Sequence, residues 1–141
     1  YIRALQVLQQ NFFICANSVT QAAGIAALED SDTETAAMRE RYNRRRQYVI
    51  KRLKAMGFDI QVEPTGAFYV FVNAKHLSSD SYALAFDILD KAHVGVTPGI
   101  DFGQNGEGFI RVSYANSMKN LETGLDRLET YVREKTAKGG I

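Results

Sequence analysis

Apolar residues recur along this chain first at helical spacing and later at strand spacing. Ile2, Leu5 and Leu8 share one helical face, which predicts a helix from the first residues on. No capping residue stands ahead of it, so the chain is expected to begin inside a longer pattern. Ser18-Val19-Thr20-Gln21 has capping-box order, in which the Ser hydroxyl and the Gln side chain each satisfy an orphan helix N–H. An Ala-rich helix is expected from there to Leu28. Ser31-Asp32-Thr33-Glu34 repeats that grammar ahead of a long helix to Met56, with Met38, Tyr42, Val49, Leu53 and Met56 on one face and Gly57 placed to end it.

The period then changes. Phe58, Ile60 and Val62 alternate with polar residues, Pro64-Thr65-Gly66 supplies a turn, and Ala67 to Val72 is an apolar run, so two strands are expected, the second buried. Ser79 or Asp80 can cap a helix carrying Leu84, Ile88 and Leu89, and a short strand over Val94 to Val96 leads into Thr97-Pro98-Gly99. Phe109 to Tyr114 reads as another strand. A last helix opens near Asn116-Ser117, carries Leu121, Leu125, Leu128 and Val132, and gives way to a polar tail ending Gly139-Gly140-Ile141. This order implies an α+β architecture, a small mixed sheet packed against helices.

Composition narrows the function classes. With 45% hydrophobic and 23% charged residues over 141 positions, the chain has the balance of one globular domain. No stretch is apolar enough for a membrane span and no signal peptide is legible, so a cytoplasmic protein without a membrane partner is expected. Cys15 has no second thiol, and His76 and His93 lack ligand spacing, so no metal site is expected and Cys15 reads as a small buried hydrophobe. A net charge of +1 gives no overall reason to expect nucleic acid. The basic run Arg39, Arg41, Arg44, Arg45, Arg46, Lys51, Arg52 and Lys54 could bind phosphates, but acids near its helix start and bases toward its end suit a solvated face aligned with the helix dipole. The Gly103-Gln104-Asn105-Gly106-Glu107-Gly108 segment matches neither phosphate-loop fingerprint and reads as a surface loop.

Arg111 is the sharpest chemical candidate. Strand alternation puts Ile110, Val112 and Tyr114 on one face and Phe109, Arg111 and Ser113 on the other. An Arg in an apolar strand needs a partner, and its planar fork suits a carboxylate held by two parallel hydrogen bonds. The alternative is an edge-strand Arg facing water or paired with a structural acid.

Four segments occur in register: Gly66-Ala67-Phe68-Tyr69; Thr97-Pro98-Gly99 with Phe102-Gly103; Gly108 to Ala115; and Asn120-Leu121 in a helix. They resemble the C-terminal signature of class I and II aminotransferases, pyridoxal-phosphate enzymes of the aspartate aminotransferase fold type (fold type I), and the likeness reaches back through Asn17 to Ala23. The resemblance implies residues 1–30 as helices from the junction with a missing N-terminal large domain, and residues 31–141 as the C-terminal small domain. It implies amino-acid and 2-oxo-acid substrates, a homodimeric parent, and Arg111 as the group binding the substrate α-carboxylate. Phe68 matches an aromatic on the substrate side, with a core strand Phe as the equal alternative. Gly66, Pro98 and Gly99 match family positions but are sufficiently explained as turn residues, and the Asn17-Ser18 loop, near the partner's active site in family dimers, reads first as a helix cap.

The family's Schiff-base Lys follows a Ser, and none of Lys51, Lys54, Lys75, Lys91, Lys119, Lys135 or Lys138 has that context. On this resemblance the chain is a fragment without its catalytic Lys, inactive alone, and the residues that hold pyridoxal phosphate are not identified in it. A carbon–sulfur lyase of the same fold type is the alternative reaction; a nucleic-acid-binding module using the Arg-rich helix is the remote one.

Overall fold

The computed structural model describes residues 1–139, which divide into two compact units, Tyr1–Arg39 and Glu40 onward. In the first, α1 spans Ile2–Phe12 and α2 spans Ser18–Glu29, and neither buries a residue. The cap of α2 is Asn17, one residue before the expected Ser18: its side-chain oxygen accepts from the Thr20 N–H at 2.9 Å, while Gln21 donates back to the Ala16 carbonyl. Asn is as good a cap as Ser, and here the extended backbone belongs to Asn17. Cys15, expected to be buried, is exposed because it lies in the irregular link between these two helices.

Helix α3, Asp32–Ala55, buries Val49, Ile50 and Leu53 in its C-terminal half and stops where Gly57 takes φ +88°. Ser31 does not cap it with its hydroxyl, which instead donates to the Ala27 carbonyl. Met38, expected on the buried face, is exposed.

Strands β1 (Tyr69–Asn73), β2 (Thr97–Pro98) and β3 (Phe109–Ser113) form a sheet in the order β1-β3-β2. Both ladders are antiparallel, where a mixed sheet is expected from the sequence. The reason is topological. Helix α4, Ser81–Ala92, carries the chain from β1 to β2, which run the same way, and β3 then inserts between them as in a split β-α-β unit. The strand expected at Phe58 to Val62 is reduced to one bridge between Asp59 and Asn73, since the segment is drawn back to α3 by Lys54 on Glu63 and by Arg46 on the Pro64 carbonyl. The strand expected at Val94 to Val96 begins later, at Thr97, and Pro98, with no N–H to donate, closes it.

One face of the sheet makes the core. Val70, Val72, Ile110 and Val112 pack with Leu53 of α3, Leu84 and Ile88 of α4, and Leu121, Leu125 and Leu128 of α5, which spans Met118–Gly139. Helix α5 therefore runs on where a polar tail is expected, and residues 140–141 lie outside the described part. Helix α4 is capped by Asp80, whose carboxylate accepts from the Ala83 N–H at 2.8 Å.

Polar ties lock the helices over this core. Arg52 reaches across to Asp126 and Glu129 of α5 at 2.7 and 2.9 Å, which with Arg44 on Glu40 absorbs part of the basic run. Asp87 of α4 accepts from the buried Tyr131 hydroxyl at 2.6 Å and pairs with Lys91 and Lys135. Lys91 foremost, then Tyr131 and Lys135, hold the Asp87 carboxyl well below the usual range. A depressed acid adds stability above its ordinary value of about 4 and loses it as pH falls toward the folded value. Asp87→Asn is expected to cost about 1 kcal/mol near neutrality and less in acid. Urea unfolding at about pH 7 and about pH 3 checks both.

Candidate functional site

The other face of the sheet carries the chemistry. Arg111 sits at the centre of β3, opposite Phe71 of β1 on one side and Thr97 of β2 on the other. Directly paired residues share a face, so Tyr69, Phe71, Thr97, Phe109 and Arg111 all project away from the core. The expected alternation holds: Ile110, Val112 and Tyr114 are buried, Arg111 half-buried.

The guanidinium carbon lies 5.1 Å from the ring centroids of both Tyr69 and Phe102. Nη2 donates to the Thr97 hydroxyl at 3.1 Å, while Nε is buried and has no hydrogen-bond partner. No acidic side chain among the described residues pairs with Arg111, so no structural ion pair accounts for it. Aromatic faces attract the cation but cannot accept all five of its N–H donors. A buried donor left unmade costs about 1–3 kcal/mol. An anion with two oxygens in one plane fits this deficit best.

Aromatic packing shapes the surroundings. Phe71 stacks on Phe109 at 5.1 Å and meets Phe102 edge-on at 5.6 Å. Phe102 arrives on tight turns over Gly99–Phe102 and Gln104–Gly106. The Gly-rich segment that reads as a surface loop is thus partly built into the fold: Gly106 and Gly108 are buried, Gly106 with its backbone against that of Gly99 and Gly108 beneath the Lys75 side chain. Phe68 precedes β1, is 49% exposed, and its ring meets Tyr69 edge-on at 5.5 Å. Its ring reaches toward Arg111 through Tyr69, and its carbonyl accepts from the Tyr114 N–H at 2.8 Å. Tyr69, Thr97 and Phe102 were not singled out by spacing; the period-2 rule applied to β1 puts Tyr69 and Phe71 on one face, but the register that brings Thr97 beside Arg111 is a tertiary fact.

A covalent cofactor anchor calls for a sequestered lysine, because burial or a neighbouring cation is what activates the amine. None of the lysines with described side chains is buried. Lys51, Lys54, Lys75, Lys91 and Lys119 are exposed and Lys135 is held by Asp87; the Lys138 side chain lies outside the described part. Among the described residues no cluster of His, Cys, Asp and Glu could hold a metal ion, and no helix is long and apolar enough to cross a membrane.

Known proteins share this fold and much of this sequence. The profile described as Aminotransferase class I and II matches residues 1–128. A probable N-acetyl-LL-diaminopimelate aminotransferase of Bacillus subtilis is 41% identical over 93% of this chain and 33% of its own length. The (5-formylfuran-3-yl)methyl phosphate transaminase of Methanocaldococcus jannaschii is 38% identical over 94% of this chain and 35% of its own. The crystal structure of an aromatic aminotransferase from Pyrococcus horikoshii superposes with a TM-score of 0.81 at 37% identity, over 91% of this chain and 34% of that one. The chain spans about a third of the length of these relatives. With the profile covering most of its residues, the chain belongs to the class I and II aminotransferases.

Proposed function

We propose that this chain is the C-terminal, substrate-side part of a pyridoxal-phosphate-dependent aminotransferase that moves an amino group from an amino acid to a 2-oxo acid. The observation that carries the reading is Arg111, half-buried at the centre of the sheet with an unpartnered Nε and no acidic partner among the described residues. Arg111 binds the substrate α-carboxylate in two parallel hydrogen bonds, which fixes where the Cα and its amino group lie. Lysine would hold the charge without the orientation. Phe68, half-exposed beside Tyr69, forms an apolar wall on the substrate side.

The aminotransferase names of the relatives support the reaction, and the substrates that those names give differ from one relative to the next. The main anchors of pyridoxal phosphate belong to the rest of the parent protein, since no lysine here follows a Ser as the family's Schiff-base Lys does. The chain alone is therefore expected to be inactive. Residues 1–30 form the junction with the large domain and 31–141 the small domain, in a homodimeric, cytoplasmic parent. The exposed apolar residues of the first unit, among them Leu5, Leu8, Phe12 and Phe13, are suited to being covered in that assembly.

Full-length protein supplied with pyridoxal phosphate, amino acids and 2-oxo acids tests this. Transfer of the amino group to the oxo acid is expected. Release of ammonia and a thiol from sulfur amino acids, with no transfer, would assign the carbon–sulfur lyase reaction instead.

A further inference from the structure

Phe102 is one of the two rings facing Arg111, yet it lies beyond the last paired residue of β2, on a stretch that no ladder holds. Both ends of that stretch are tied to one residue. Ser81, the first residue of α4, is fully buried; its hydroxyl accepts from the Ile100 N–H at 3.1 Å, and its own N–H donates to Glu107 Oε1 at 2.6 Å. The same Glu107 oxygen accepts from the Gly108 N–H at 2.9 Å. The backbone N–H groups of Ser81 and then Gly108 hold the Glu107 carboxyl below its usual range. Asp80 caps α4 only at the Ala83 N–H, and Glu107 takes the Ser81 N–H that this cap leaves, which ties the helix start to the far end of the stretch. Between the two anchors, at Ile100 and Glu107, sits Phe102.

We propose that Glu107 and Ser81 form a latch that sets Phe102 and, through it, the orientation of the Arg111 guanidinium toward the substrate carboxylate. The proposal rests on the reading of Arg111 given above. Neither residue touches substrate; both are positioning residues. A carboxylate suits this latch because one oxygen can accept two convergent N–H groups, one of them at a helix N-terminus, where negative charge is favoured.

Steady-state kinetics of the full-length enzyme test it, with an α-amino acid substrate and the matching amine that lacks the carboxylate. Glu107→Ala is expected to raise KM for the amino acid about fivefold, the size of one hydrogen bond's net contribution, with kcat and the amine reaction little changed. Glu107→Gln, whose amide oxygen still accepts both N–H groups, restores most of the loss. Phe102→Ala has a similar effect, and the double variant is no worse than Phe102→Ala alone, because coupled residues are not additive. An unchanged KM in Glu107→Ala, an equal loss with the amine, or full additivity with Phe102→Ala overturns the proposal. If Glu107→Ala does not fold, Ser81→Ala carries the same expectation, since it removes the acceptor of the Ile100 N–H and keeps the Ser81 N–H that Glu107 holds. Arg111→Leu separates the two claims. If it leaves amino-acid affinity intact, the Arg111 reading fails and the latch with it; if it weakens affinity and Glu107→Ala does not, the latch alone fails.

Discussion

Arg111→Leu in the full-length protein is expected to lower kcat/KM for α-amino acids by about a hundredfold or more, from the loss of a charge-assisted, partly desolvated contact of about 3 kcal/mol. The fold should survive, because Arg111 contributes no residue to the core and its donors are underused already. Arg111→Lys should lie between, keeping the charge while losing the fork. The check is kcat/KM measured on paired amino acid and amine substrates. A selective loss with the amino acid is expected, and an equal loss with both would mean that the side chain supports the fold rather than the carboxylate.

Gly99→Ala is expected to destabilise the protein by about 3 kcal/mol and to weaken substrate binding along with it. A Cβ at Gly99 would lie 1.9 Å from the Gly106 carbonyl oxygen and 2.6 Å from that of Phe109. Both obstacles are backbone, so no side-chain rotation relieves them and the turns that bring Phe102 to Arg111 must shift. Gly95→Ala is the control, since nothing lies within 4 Å of its added Cβ. Urea midpoints of the two variants should separate clearly.

These two residues mark how far the chain could be read before its structure was known. The faces of β3 were legible because period 2 is a local rule, and Ile110, Val112 and Tyr114 are buried as it requires. The helix over residues 81–92 and the last helix as far as Val132 were legible from their caps and apolar spacing, while the continuation of the last helix to Gly139 was not. Register was not legible. That Thr97 and Phe71 flank Arg111 follows from β3 inserting between β1 and β2, and no local pattern encodes that choice. The alternation at Phe58, Ile60 and Val62 misled because it occurs beside a helix that recaptures the chain through Lys54 and Arg46. The role of the Gly-rich segment was hidden for a similar reason: Gly99 and Gly106 look like ordinary turn glycines until the two backbones are seen to touch. Within the candidate site, the charged residue was singled out by its place in an apolar strand together with the family resemblance, while the rings and hydroxyl around it were supplied by topology.

The most direct test of the central claim is a crystal structure of the full-length protein with a bound substrate analogue that carries an α-carboxylate. Both carboxylate oxygens are expected within about 2.7–2.9 Å of Arg111 nitrogens, with the Tyr69 and Phe102 rings still flanking the guanidinium. A carboxylate held by another residue, with Arg111 bonded to Thr97 alone, would contradict it.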